Sequence, residues 1–176
     1  MPAVNCACVS AQARPTCKHS TACNPALVRL QSARSVLLLQ GPVGAFFDRL
    51  ATWLMQHGAQ VRRVAFQGGD VYDSQVLEPI TFKQALQDWP VYFEQLLQQH
   101  TIDCVVLFGQ SRKHHHAAIQ LCKSQGIDVV VLEEGYFRPG YITMELGGVN
   151  GFSQTLQRYL WAPTPETAPH LTPDIS

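Results

Sequence analysis

The sequence predicts an α/β fold: a doubly wound parallel sheet forming a single Rossmann-like domain. Three observations carry that expectation. Short apolar runs recur within 36–39, 60–66, 102–108 and 127–132. Segments of helical period lie between several of them. Gly-containing turns punctuate the joins. Continuous apolar runs suit strands buried on both faces, and strands alternating with helices build parallel sheets.

Taken in order, residues 1–34 mix Ala, Ser, Thr, Pro and Cys without a period. They read as a disordered or non-native N-terminal extension. Val36 to Leu39 is the first strand, broken by Gln40 to Gly44. A helix follows over about Ala45 to His57, with Phe46, Leu50, Trp53, Leu54 and His57 at helical spacing and Gly58 as its C′ stop. Gln60 to Phe66 alternates and is the second strand, so these pieces make a βαβ unit. Gln67 to Asp70 is a loop, and residues 71–81 carry no clear period. Phe82 to Gln99 is helical in character but holds Pro90. Pro inside a helix costs ~3 kcal/mol. Two short helices meeting at Asp88-Trp89-Pro90 are therefore expected, with Asp88 as N-cap and Pro90 in the first turn. Ile102 to Phe108 is the third strand, Arg112 to Gln125 a helix ended by Gly126, and Ile127 to Leu132 the fourth strand. The domain is expected to span 35–153, followed by a Pro/Thr-rich tail over 154–176.

Thirteen basic residues balance thirteen acidic ones, so no bulk charge points to a nucleic-acid partner. No apolar run reaches the ~18–20 residues that cross a bilayer. The first residues lack the apolar centre of a signal peptide, and a cytoplasmic location is expected. Cys6, Cys8, Cys17 and Cys23, with His19 among them, are too irregularly spaced for paired zinc ligands, and no metal is expected. Cys104 and Cys122 lie in apolar segments and read as small buried hydrophobes.

Ligands bind outside the carboxyl ends of the strands of an open parallel sheet. Four loops leave those ends: 40–44, 67–70, 109–115 and 133–140. Gly41 to Gly44 places backbone N–H groups at a helix start, either as a site for an anion or sugar hydroxyl or as a tight turn. It lacks the spacing of a dinucleotide fingerprint and the lysine of a P-loop. Arg112 and His115 suit a phosphate or carboxylate, or else a solvated helix start. His114, His115 and His116 point about 100° apart on a helix, so one face cannot present all three to a metal. Glu133 and Glu134 follow an apolar strand and precede Tyr136, Phe137 and Arg138. A carboxylate there suits general acid or base work, and an Arg there suits a sugar carboxylate or phosphate. An Arg–Glu pair that merely fixes the loop fits the spacing equally well.

Several stretches together resemble the capsule polysaccharide biosynthesis and export family. They are Leu38–Phe47 (LLQGPVGAFF), Phe66–Asp70 (FQGGD), Asp88–Pro90 (DWP), Val106–Gly109 (VLFG), His115–Ile119 (HHAAI), Glu133–Pro139 (EEGYFRP) and Gly147–Gly151 (GGVNG). The likeness runs over about residues 35–153 and is nearest the KpsS-like type, with the KpsC-like type related. It implies a GT-B-like glycosyltransferase of two Rossmann-like domains, of which this chain holds the N-terminal half. The implied enzyme works in the cytoplasm, peripheral at the inner membrane, and moves Kdo from CMP-Kdo to a phosphatidylglycerol or Kdo-linker acceptor before ABC-transporter export. No resident cofactor is implied. Carried over by motif, Glu134 or its neighbour Glu133 is the catalytic carboxylate. Gly41, Gly44, Asp70, Arg112, His115, Tyr136, Arg138 and Asn150 are implied to bind substrate.

The family pattern has Asp at 110 and 140 and Pro at 113, where this chain has Gln110, Gly140 and Lys113. A carboxylate at 110 would pair with Arg112, so its loss bears on the acceptor side of the cleft. Two such domains need on the order of 300 residues. The chain is thus expected to be inactive alone, with a separate C-terminal half as partner. The alternative is a non-catalytic binding or assembly module of the capsule export machinery.

Overall fold

Consecutive apolar residues along a strand point to opposite faces of the sheet and must be covered on both sides, and the fold meets that demand with helices on both faces. The computed structural model describes residues 24–135, 141–149 and 153. Its strands are β1 (Ser35–Leu38), β2 (Gln60–Ala65), β3 (Ile80–Thr81), β4 (Cys104–Phe108), β5 (Asp128–Glu134) and β6 (Ile142–Leu146). Its helices are α1 (Pro25–Ser32), α2 (Phe46–Gln56), α3 (Gly68–Tyr72), α4 (Trp89–His100) and α5 (Lys113–Gln125), with one 3-10 turn at Leu86–Asp88.

The strand order is β3-β2-β1-β4-β5-β6. The first five strands pair in parallel, and β6 pairs antiparallel to β5, from Val130 opposite Leu146 to Glu134 opposite Ile142. The α/β, doubly wound expectation stands, and the all-parallel sheet is corrected at this edge. The reason is the length of the connection. Residues 135–141 are too few for a crossover, which needs a dozen or more, so the chain turns back on itself.

One face of the sheet is covered by α4 and α5. There Leu37, Val105, Leu107, Val129 and Val131 meet Phe93, Leu97, Ala118 and Cys122. On the other face, Val36, Leu38, Val106, Val130 and Leu132 meet Leu30 of α1 and Phe47 and Leu54 of α2. Each fully buried side chain of this size contributes roughly 1.5–3 kcal/mol. Cys104 and Cys122 lie in these cores as expected, and burial pushes both thiols up to about 12.

Residues 24–34 are not the loose extension expected of them. Asn24 caps α1, its Oδ1 accepting from the Ala26 and Leu27 N–H groups at 2.9 and 3.4 Å, and Pro25 fills the first helical position. Arg29 then bonds the Asp128 carboxylate and the Asp103 carbonyl, while Asn24 Nδ2 donates to the Met144 carbonyl of β6. A helix of only eight residues is marginal on its own, so these partners decide it. Residues 1–23 and 154–176, for which an extension and a tail were expected, lie outside the described residues.

Three further boundaries differ. Gln67–Asp70 is not a plain loop, because Gln67 and Asp70 form a capping box that starts α3. Only a 3-10 turn precedes α4, so a single α-helix forms in the 82–99 region, with Pro90 in its first turn as expected. The fourth strand continues through Glu133 and Glu134, which belong to β5 and not to the loop after it.

A charged pair is sealed between α2 and β2. Arg63 is 2% exposed and Asp48 7%. Arg63 Nη1 lies 3.4 Å from Asp48 Oδ1 and donates to the Asp73 carbonyl at 2.9 Å, while Asp48 Oδ2 accepts from the Gln75 N–H at 2.8 Å. The guanidinium also sits over the Phe47 ring. Removing one partner strands the other charge in the interior. Asp48→Ala is expected to cost about 3–5 kcal/mol in urea unfolding, and the double change with Arg63→Met to recover most of that loss.

Candidate functional site

The strand order reverses between β1 and β4, which opens a crevice outside their carboxyl ends. The loops at 40–44 and 109–112 form its two lips. Each begins with glutamine and glycine beside a strand end: Gln40-Gly41 after β1, Gly109-Gln110 after β4.

On the first lip, Gly41 is fixed by packing. A Cβ there would lie 2.7 Å from the Phe47 ring, so only glycine lets the loop settle on that buried side chain. Gly44 has φ +92°, and its N–H donates to Asp73 Oδ2 at 2.9 Å. The free backbone donors expected at this loop are therefore corrected at Gly44, whose donor is taken. Asp70 is buried behind the lip. Its carboxylate accepts from Gln40 Nε2 at 3.2 Å, Phe66 N–H at 2.9 Å and Gln67 N–H at 3.2 Å. Asp70 thus ties the β1 and β2 loops together and has little acceptor capacity left for a ligand.

On the second lip, α5 begins at Lys113 with Arg112 as its N-cap, and no side chain caps the helix. The Arg112 side chain is exposed and makes no ion pair or hydrogen bond among the described residues. The three histidines diverge as their spacing requires. His116 is exposed, His114 stacks on Phe66 with centroids 4.1 Å apart, and His115 is fully buried. His115 Nδ1 donates to the Gly109 carbonyl at 2.6 Å, holding that left-handed residue (φ +76°) in place. Burial drives the His115 pKa down to about 3; the Gly109 bond opposes this, and the nearby His114 and Arg112 charges add to it. His114 is lowered too, chiefly by burial. Both rings are neutral at physiological pH.

Glu133 and Glu134 point to opposite sides of the sheet by strand alternation. Glu133 is half-buried, shares the α5 side with Val131, and reaches Gly109: a Cβ there would lie 3.9 Å from Glu133 Oε2. Its Oε1 accepts from the Glu134 N–H at 3.3 Å. Glu134 is exposed on the Leu132 side. Of the two acids that the motif offered, Glu134 or its neighbour Glu133, the Glu133 carboxylate lies beside Gly109 of the second lip. Tyr136, Arg138 and Asn150 lie outside the described residues.

Sequence reasoning missed Gln110. Its side-chain amide brackets one residue: Nε2 donates to the Val149 carbonyl at 3.1 Å, and Oε1 accepts from the Val149 N–H at 3.2 Å. It also missed Gln40, Asp48, Arg63 and Asp73. The available signal was the repeated glutamine beside Gly at the ends of two apolar runs.

The comparisons bear on this geometry. Residues 103–160 match a family described as "Capsule polysaccharide biosynthesis protein". The chain is 40% identical over 131 residues to "Capsule polysaccharide modification protein LipB" from two Neisseria meningitidis strains, serogroups A and B, covering 73% of this chain and 31% of each relative. It is 38% identical over 128 residues to "Capsule polysaccharide export protein KpsS" of Escherichia coli, covering 73% of this chain and 33% of that one. The chain therefore spans about a third of the length of these curated relatives. Over the matched stretch the chain is similar to KpsS-like capsule polysaccharide proteins, the resemblance its motifs indicated. Among the described residues, no helix is long and apolar enough to cross a membrane.

Two outcomes follow from the second lip. An unfolded imidazole takes its proton near pH 6.5 and the folded His115 resists to about 3, so the unfolded chain binds more protons across that window. Stability gained from His115 is complete above the window and falls as the pH drops through it. The stability deficit of His115→Gln relative to the parent, read by urea unfolding at a series of pH values, should narrow from pH 6.5 downward; a constant gap would refute the assignment. Gln110→Glu keeps an acceptor for Val149 but loses the donor. It should cost about 0.5–1.5 kcal/mol in urea unfolding, because the Val149 carbonyl loses its donor.

Proposed function

We propose that this domain forms the acceptor side of a GT-B-like glycosyltransferase cleft in capsule biosynthesis, moving Kdo from CMP-Kdo to a phosphatidylglycerol or Kdo-linker acceptor. The observation that carries the reading is the placement of Glu133 beside Gly109, on the loop that leads through exposed Arg112 to the α5 N-terminus at the β1/β4 reversal. In this reading Arg112 and the helix start hold the acceptor's phosphate or carboxylate. Glu133 takes the proton from the acceptor hydroxyl as its oxygen bonds to the anomeric carbon of Kdo. The bond from that carbon to CMP breaks, and CMP leaves with the electron pair. His115 stays neutral and keeps the loop beside Glu133 in place. The cytidine nucleotide is held by a second domain. The work is done at the cytoplasmic face of the inner membrane, ahead of an ABC-transporter export complex.

The reading is supported by similarity to proteins whose names speak of capsule modification and export. A calorimetric titration of the chain with glycerophosphoglycerol, the water-soluble acceptor headgroup, is expected to show binding. Arg112→Ala should weaken it about tenfold, the scale of one charge-assisted hydrogen bond. CMP should not bind; binding of CMP without the headgroup would reverse the assignment of sides. In a full-length KpsS-like protein carrying this domain, Glu133→Gln should slow transfer of labelled Kdo by roughly 10²–10⁴-fold. Unchanged transfer would favour a non-catalytic assembly role instead.

A further inference from the structure

A groove of about 300 Å³, at the lower end of the small-molecule range, lies over the 3-10 turn and the outer side of α4. Gln84, Gln87, Asp88, Val91, Tyr92 and Gln95 line it. Helical spacing gathers three of them. Trp89, Phe93, Leu96 and Leu97 form the buried stripe of α4, so Asp88, Val91 and Gln95 fall on the opposite side. Tyr92 stands at the border of that stripe and is half-buried. Its ring is held between Phe82 and Trp89, with centroids 5.1 and 6.2 Å away.

One wall of the groove is thus preset, and its polar groups are unengaged. The side chains of Gln84, Gln87, Asp88 and Gln95 bond no other described residue, and neither does the Tyr92 hydroxyl. Three amides, a carboxylate and a phenol offer both donors and acceptors, and no cation lines the groove. Val91 is 63% exposed and is its one aliphatic side chain.

This lining sorts ligands by chemistry. A phosphate or an acidic sugar would meet Asp88 with no cation to offset the repulsion. A metal ion or amine would find a single exposed carboxylate, which holds a partner weakly. A lipid chain would find only Val91. A neutral pyranose matches both parts: its hydroxyls donate and accept, and its weakly positive C–H face suits the electron-rich face of an aromatic ring.

We propose that this groove binds a neutral pyranose unit of a saccharide, with its C–H face on Tyr92 and Val91 and its hydroxyls on Gln87, Asp88 and Gln95. The site uses neither Arg112 nor Glu133, so it stands or falls apart from the Kdo reading.

Amide chemical shifts of the chain, followed during titration with the methyl glycosides of glucose, galactose, mannose and N-acetylglucosamine, test the proposal. N-acetylneuraminic acid serves as the acidic sugar. At least one neutral glycoside is expected to move the amides of residues 84–95 with a millimolar Kd, and N-acetylneuraminic acid to leave them in place. Tyr92→Leu should abolish the effect. Gln95→Ala, an exposed change that leaves the packing of α4 intact, should weaken it about fivefold, the scale of one neutral hydrogen bond. Gln95→Ala should leave glycerophosphoglycerol binding at the crevice unchanged. Three results would overturn the proposal. The first is that no neutral glycoside moves these amides. The second is an equal affinity in the parent and both variants. The third is that N-acetylneuraminic acid moves the same amides as readily, since the groove would then not select by charge.

Discussion

β1 is hydrogen-bonded on both edges and buried on both faces, and the other elements are arranged around it. Leu37 and Leu38 are neighbours in sequence and point to opposite sides of the sheet, so each needs its own layer of helix. The chain leaves β1 through α2 on one face and returns to β4 through α4 on the other. That change of side at β1 makes the strand order reverse there, and the reversal parts the two loops that would otherwise close over the strand ends. The crevice is thus a by-product of covering one apolar strand twice.

Around the crevice, polar side chains serve mainly to hold backbone. Asp70 gathers three donors from two loops, His115 fixes the Gly109 carbonyl, and Gln110 brackets Val149. Net hydrogen-bond contributions of ~1 kcal/mol each are modest. Their effect is geometric: they set loops that apolar packing alone leaves free. The Arg63–Asp48 pair works the same way below the first lip. Buried pairs add little net stability, because desolvation offsets most of the attraction. This one joins α2, β2 and the 73–75 turn, the same turn whose Asp73 side chain receives Gly44. Beside these supports, among the described residues, Arg112 is exposed on the second lip and Glu133 is half-buried beside Gly109.

Much of the fold was legible in the sequence because its signals are local. Continuous apolar runs marked β1, β4 and β5, alternation marked β2, Gly58 and Gly126 stopped α2 and α5, and Pro90 placed the start of α4. The elements that escaped notice are those decided by partners. α1 is short and poorly periodic, and it is held by Asp103, Asp128 and Met144, all some 70 residues or more downstream. β6 carries Thr143 and Glu145 among its apolar residues, since an edge strand is covered less completely. The seven-residue link before it was a usable clue to its antiparallel direction.

The candidate site divides along the same line. Sequence by itself determined which loops leave the carboxyl ends of the parallel strands, since those ends are set by the alternation of elements. It also determined that three consecutive histidines cannot share a face. Only the tertiary structure decided which of two adjacent acids lies on the α5 side beside Gly109. Alternation along β5 tells that Glu133 and Glu134 part, but the packing of Val131 against α5 tells which way. Only the fold could show that Gly44 and Asp70 are already engaged and that Gln110 grips Val149. Those contacts join residues up to 39 positions apart, and no local pattern encodes a partner at that range.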